Sequence, residues 1–212
     1  MCNGVNARKN LMPHSNPAKA VMNKNKKEAL LQAAKELFGE CGYVETTFKK
    51  ISDKAGVALG LLTHHYGNKE KLFLASGLDV LERFLVRLRA ATAEATCGYD
   101  GVMRFCKAYL DFSIDKDSNW LVLVRCSPYS DMKTKTDRDI MDSMFSQVHN
   151  ELERVIAKGV EDGSIVKVDS KSTAQVIISL MVGSNRTRVL TPYAMPTLYE
   201  DVLEFISRSI KA

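Results

Sequence analysis

Residues 42–72 read GYVETTFKKISDKAGVALGLLTHHYGNKEKL, and this stretch decides the fold. Two short segments of helical periodicity flank a tight turn at Ala55-Gly56-Val57. The first, about Thr47 to Lys54, turns Phe48 and Ile51 inward, and Thr46 or Thr47 is placed to cap it by accepting a backbone N–H. The second runs from about Ala58 to Tyr66 and ends at Gly67-Asn68. Asn68 then caps a third segment with Glu70 in its first turn, where the helix dipole favours an acid. Two short helices across a Gly-containing turn form the helix-turn-helix pattern. The second helix of such a pair lies in the DNA major groove with its N-terminal residues toward base edges. Lys24, Lys26, Lys27, Lys49, Lys50, Lys54, Lys69 and Lys71 crowd the same region, and such side chains displace counterions from phosphates.

On the N-terminal side, Leu30, Ala34, Leu37, Phe38 and Cys41 fall on one face of a helix over about Asn25 to Cys41, with Gly42 as its C-cap. On the C-terminal side a long helix is expected from about Lys69 to Ala95. Asp100 is positioned to cap a helix running to Ile114. Trp120 to Cys126 is apolar and is read as helix because no partner strand is evident. After a loop at Ser127 to Lys135, Thr136 and Asp139 resemble a capping box. The helix they open carries Ile140, Met144, Val148, Leu152, Val155 and Ile156 and stops at Gly163. Asp169 or Ser170 caps another helix to about Leu190, and a last one covers about Thr197 to Lys211. The expected fold is all-α, with about nine helices and one continuous helix joining two lobes.

Composition narrows the function classes. The 212 residues are 45% apolar and 26% charged, which excludes a wholly disordered chain, a fibre and a membrane bundle. Residues 1–72 hold 12 Lys/Arg against 6 Asp/Glu, and residues 73–212 hold 18 against 19. The positive surplus of the chain therefore lies in its first third, which points to a polyanionic partner there. The five cysteines, Cys2, Cys41, Cys97, Cys106 and Cys126, form no C-x-x-C pair, so neither a disulfide framework nor a zinc site is expected. A reducing, cytoplasmic setting suits them. No apolar run is long enough to span a membrane. Residues 1–22 lack a signal-peptide core and read as a flexible polar arm, within which Met12 and Met22 are further candidate starts. Adjacent His64 and His65 do not share a helix face and are not read as metal ligands. No nucleophile elbow, H-E-x-x-H, phosphate-binding Gly loop or paired-carboxylate motif is present, so no enzyme and no cofactor are expected.

Gly42-Tyr43, Thr46-Thr47-Phe48, Ile51, Ala55-Gly56-Val57, Gly60, Leu62, His65-Tyr66, Asn68-Lys69-Glu70 and Leu72 together resemble the DNA-binding signature of TetR-family transcriptional regulators. The resemblance covers about residues 25–75. It implies a homodimeric repressor of double-stranded DNA, with a flexible arm at 1–22, a helix-turn-helix domain at 23–72 and a ligand-binding and dimerisation domain at 73–212. It further implies that the last two helices pair with their copies in the dimer. The DNA-contacting candidates are Thr47, Lys49, Ala58, Leu59, Leu61, Thr63, His64, His65 and Lys69. Of these, Lys49 could donate to guanine, His65 to phosphate, and Lys69 to phosphate from a helix N-terminus. The sequence departs from the family pattern at the reading positions. Ala58, Leu59 and Leu61 stand where polar side chains are usual, and Thr63 where a phosphate-binding Tyr is usual. Either the operator is A·T-rich and read through thymine methyls and shape, or sequence-specific binding is weakened. In the second lobe Met103, Tyr109, Phe112, Trp120, Met144, Phe145, Val148 and Met181 are the candidates to line a cavity for a small apolar or amphipathic effector. Asp111, Arg104, His149, Asn185 and Arg125 are polar candidates to orient it. Two functions compete: a ligand-responsive repressor on a pseudo-palindromic operator, and a dimeric small-molecule-binding protein that has weakened or lost specific DNA recognition.

Overall fold

The computed structural model describes residues 17–125 and 135–212. Among them the chain forms nine α-helices and one 3₁₀ turn, and the extended pairing is a lone bridge between Ile165 and Lys211. The all-helical expectation therefore holds. Several boundaries differ for local reasons.

Helix α1 (Pro17–Glu45) starts inside the stretch read as an arm. Pro17 occupies the first helical position, where its missing N–H costs nothing, and Ala18, Ala20 and Met22 are good helix formers. The helix is interrupted at Gly42, whose φ of 80° and ψ of 174° lie in a region open essentially to glycine. The chain turns away there, and Cys41, read as part of the buried face, is exposed. Buried Thr46 donates from its hydroxyl to the carbonyls of Leu37 at 3.1 Å and Gly42 at 2.7 Å, tying off the end of α1. Thr47 is therefore the cap of α2 (Phe48–Ala55), and its hydroxyl accepts the Lys50 N–H at 3.2 Å. Gly56, with φ 63°, closes α2 in the left-handed conformation.

Helix α3 (Leu59–Tyr66) follows, and Asn68 caps α4 (Lys69–Ala93) by accepting the Lys71 N–H at 2.8 Å. Helix α5 (Gly98–Ile114) starts before the expected position. Its cap is Cys97, whose Sγ accepts the Asp100 N–H, while the Asp100 carboxylate accepts the Thr96 N–H at 2.9 Å. This is close to a capping box built with a thiol, with Asp100 reaching from inside the first turn to the N–H of the residue before the cap. A 3₁₀ turn (Lys116–Ser118) leads to α6 (Leu121–Arg125). Helix α7 (Lys135–Glu161) begins before Thr136, so that residue is helical and not a cap. Cys126 and most of the Ser127 to Lys135 loop lie outside the described residues. Asp169 caps α8 (Ser170–Leu190), accepting the Ser172 N–H at 2.7 Å, and α9 (Leu198–Ile210) ends the fold.

One apolar core runs through the molecule. In the small lobe Leu30, Ala34, Phe38, Ile51, Leu62 and Leu72 are fully buried, and Phe38, Tyr43 and Phe73 form an aromatic cluster. Helix α4 carries Leu72 and Phe73 into that cluster and Val80, Phe84 and Leu88 into the larger core, so one rigid element is shared by both. The other direct link is α6 against α1. A Cβ on Gly39 would lie 3.0 Å from Leu121 Cβ, so glycine permits the close approach. No helix among the described residues is long and apolar enough to cross a membrane.

Candidate nucleic-acid interface and ligand cavity

Helix α3 turns Leu62 and Tyr66 into the core and holds Ala58, Leu59, Gly60, Thr63 and His64 in solvent. Tyr66 fixes the helix against α1, because its hydroxyl donates to the Lys27 carbonyl at 3.1 Å. Ala58 is the N-cap residue and offers no side-chain cap. Leu59 is 48% exposed, an uncovered leucine at the leading end of the helix. Leu61 is half-buried. The Thr63 hydroxyl donates back to the Leu59 carbonyl at 3.3 Å, which leaves its lone pairs outward. Thr47 and Lys49 lie at the exposed start of α2, with Lys49 paired to Asp53 at 3.0 Å. The outward face of the helix-turn-helix therefore combines apolar reading positions with a cationic edge.

Two expected phosphate donors are placed differently. The Lys69 ammonium donates to the carbonyls of Tyr43 at 2.8 Å, Thr46 at 3.0 Å and Val44 at 3.3 Å. It also lies 4.3 Å from the centroid of the Tyr43 ring. An ammonium has three hydrogens, and here three acceptors from the end of α1 surround it. Lys69 is thus a clamp between α4 and α1, and a phosphate contact would have to displace one of these carbonyls. His65 is half-buried with Nε2 buried and unpartnered. Burial, aided by His64 and Lys27, pushes its pKa below the ordinary imidazole value, which disfavours the cation that a phosphate contact calls for. Lys54 is held between Glu36 at 2.9 Å and Glu40 at 3.5 Å. Its hydrogen bond to Glu36 holds that carboxylate below its usual range.

The larger lobe contains a cavity of about 650 Å³ bounded by α4, α5, α6, α7 and α8, a size suited to a small organic ligand. Phe84, Tyr109 and Trp120 form its aromatic floor, with ring centroids 4.9 to 5.4 Å apart. Leu123, Val124, Phe145, Val148, Ile178 and Val182 add apolar wall. Lys171, Gln175, Asn150 and Arg186 are exposed at the rim, with half-buried His149. Arg186 also donates to the Val124 carbonyl at 2.9 Å, joining α8 to α6. Asn185 is 1% exposed. Its Oδ1 accepts from the Tyr199 hydroxyl, and its Nδ2 has no partner. Burial holds the Tyr109 hydroxyl above the ordinary phenol range, and the neighbouring Asn185 amide opposes this in part without reaching hydrogen-bond geometry.

Of the residues expected to line a cavity, Tyr109, Trp120, Phe145 and Val148 do so, as do His149 and Asn185 among the polar candidates. The other candidates lie elsewhere. Phe112 stacks behind Phe84 and Trp120. Met181 is fully buried in the core. Met144 faces a separate groove between α4 and α7, and Met103 packs on the outside of the core. Arg104 pairs with Asp100 and Glu94, and Asp111 with Lys107, while the Arg125 side chain lies outside the described residues. Sequence reasoning passed over Phe84, Leu123, Lys171 and Arg186. Phe84 was visible as an aromatic on the long helix, whereas the other three read as ordinary helix-surface positions.

Comparison with known proteins agrees with this architecture. Residues 30–76 match the family model described as bacterial regulatory proteins, tetR family. Over 87 residues the chain is 31% identical to the HTH-type transcriptional repressor AcnR of Corynebacterium efficiens, covering 41% of this chain and 42% of that protein. The matched stretch thus spans less than half the length of that relative. AibR, solved in complex with isovaleryl coenzyme A and operator DNA, is similar at a TM-score of 0.71 and 16% identity, over 86% of this chain and 96% of that one. A transcriptional regulator from Saccharomonospora viridis in complex with choline is similar at a TM-score of 0.79 and 14% identity, over 89% and 99%. At these identities the two structures speak to the fold.

Proposed function

We propose that this chain, which belongs to the TetR family of transcriptional regulators, is a ligand-responsive repressor. It binds a pseudo-palindromic operator as a homodimer and is released by a small apolar or amphipathic effector. The observation that carries the reading is the pairing of two features on one rigid element. Helix α4 begins at the helix-turn-helix and contributes Phe84 to the cavity floor. The second wall, α6, lines the cavity with Leu123 and Val124 and packs Leu121 on Gly39 of α1. A ligand that prefers a wider cavity would shift α4 and α6, and with them the spacing of two recognition helices. Such a ligand acts only if its affinity differs between the two arrangements.

Dimerisation through α8 and α9 is supported by uncovered apolar groups there. Val176, Leu190 and Phe205 are 44 to 65% exposed, although Val202, Ile206 and Ile210 of α9 are buried inward. Ser179 and Gly183 on the exposed side of α8 would let a second helix approach closely. Two-fold symmetry then matches successive half-sites on one duplex.

The ligands named for the two similar structures, an acyl thioester and a cation, differ in charge and so select no effector for this chain. The competing reading, a binding protein without specific DNA recognition, is favoured by one observation: Ala58, Leu59 and Leu61 offer no hydrogen bond to a base edge. Titrating the protein onto DNA from its own upstream region separates the two. A saturable complex of two chains per site, resistant to excess random DNA at a stated salt concentration, supports the repressor. Binding that random DNA competes away equally supports the alternative.

A further inference from the structure

The chemistry of the cavity wall identifies a class of effector, an inference that rests on the ligand-responsive reading above. Among the described residues the wall carries Lys171 and Arg186 and no Asp or Glu. Asp169, the cap of α8, interacts with Lys171 but does not line the cavity. Two side chains on the wall are buried with donors that meet no acceptor in hydrogen-bond geometry among the described residues. The Trp120 indole N–H is one, on a residue 6% exposed, and the Asn185 Nδ2 amide is the other. An indole can only donate, and a buried donor without an acceptor costs about 1–3 kcal/mol. The described wall is thus rich in donors and poor in acceptors, which disfavours a ligand that brings donors of its own. A cation has little to meet here. The floor rings of Phe84, Tyr109 and Trp120 pack against one another at about van der Waals separation and leave no cage between them. No carboxylate stands on the wall among the described residues.

We infer that the effector is an amphipathic anion, its apolar body on the aromatic floor and its acidic group at the rim beside Lys171 and Arg186. Carboxylate and phosphate share the required chemistry, a compact anion that accepts from both cations. The polar groups are deployed to suit: the floor is apolar and buried, and both cations are exposed at the opening, where a headgroup keeps part of its hydration.

Trp120 is the only tryptophan in the chain and sits on the cavity floor, so its fluorescence reports binding without DNA. The probes are decanoate, decyl phosphate, 1-decanol and decyltrimethylammonium, which share one apolar body and differ in headgroup. The expected result is that an anion binds about tenfold or more tighter than the alcohol and the cation, as expected for hydrogen bonds to charged groups. Lys171→Gln alone, which keeps the Arg186 bond to the Val124 carbonyl, should reduce that preference, and the combination with Arg186→Gln should abolish it, with 1-decanol binding showing whether the pocket survives. Lys171 is exposed, so the single variant should keep the fold, and helical content measured by circular dichroism checks both variants. Comparing decanoate with decyl phosphate decides between the two anions, and preference for either upholds the inference. Equal or tighter binding of the cation, no binding by any probe, or an anion preference that persists in the double variant would overturn it. Operator release is scored separately. An anion that binds but leaves the DNA complex intact upholds the effector class and contradicts the repressor reading. Release by a cation or neutral probe that displaces decanoate from the cavity does the reverse.

Discussion

Lys69 shows how a side chain legible in sequence can take up neighbours that the sequence does not show. A lysine at a helix N-terminus beside a helix-turn-helix suits phosphate, but in the fold its three hydrogens meet three carbonyls left open where α1 breaks at Gly42. Nothing in the linear order announces that Tyr43, Val44 and Thr46 return to that spot. Lys69→Gln should therefore lower stability by about 2 kcal/mol, the worth of hydrogen bonds to a charged group, and leave the salt dependence of DNA binding unchanged. Chemical denaturation and a salt titration check both; a slope reduced by about one unit would restore the phosphate contact. His65 gives a prediction in pH. Its folded pKa lies below the ordinary value of 6.5, chiefly through burial. The unfolded chain therefore takes up the proton first as pH falls. The contribution of His65 is complete above that value and is lost as pH drops toward the folded pKa. The melting temperature should fall between about pH 7.5 and about pH 5.5, and fall less in His65→Gln, a comparison read by thermal denaturation.

At the scale of elements, the helices were largely readable because apolar spacing and caps agree with each other. Thr47, Asn68 and Asp169 cap the helices they precede. The start of α5 was not readable, because its determinant is a tertiary contact. An added Cβ on Gly98 would lie 2.0 Å from the Gly159 nitrogen, so the first turn of α5 lies flush on α7. The Gly98 N–H also donates to Asp162 at 2.7 Å. Gly98→Ala should cost about 3 kcal/mol or more, since backbone must move to admit the methyl group, whereas the same change at Gly60, which has open space around it, should cost little. Denaturant midpoints measured side by side test the contrast. The cavity was half readable for a related reason. Apolar residues on the right helices were evident, but a buried methionine such as Met181 and a cavity-lining phenylalanine such as Phe84 carry the same helical spacing. Only the way the helices pack tells them apart.

For the whole molecule, charge and shape divide the work. The positive surplus lies in the first third of the chain, while the near-neutral remainder holds the cavity and the uncovered faces of α8 and α9. Part of that surplus is engaged internally: Lys54 with Glu36 and Glu40, Lys69 with carbonyls, Lys49 with Asp53. The exposed Lys49–Asp53 pair is worth about 1 kcal/mol or less and exchanges readily for a phosphate. On the proposed reading, affinity for DNA rests on a few exposed lysines, and choice of site falls to Ala58, Leu59, Leu61 and Thr63. Apolar readers favour thymine methyls, so the preferred half-site should be rich in A·T pairs under α3. The most direct test is selection from a random duplex library by the purified protein at a fixed salt concentration. Enrichment of a two-fold symmetric motif, its half-sites one helical turn apart and A·T-rich beneath the recognition helices, is the predicted result. A pool that stays indistinguishable from the starting library would contradict the account and leave a ligand-binding protein without an operator.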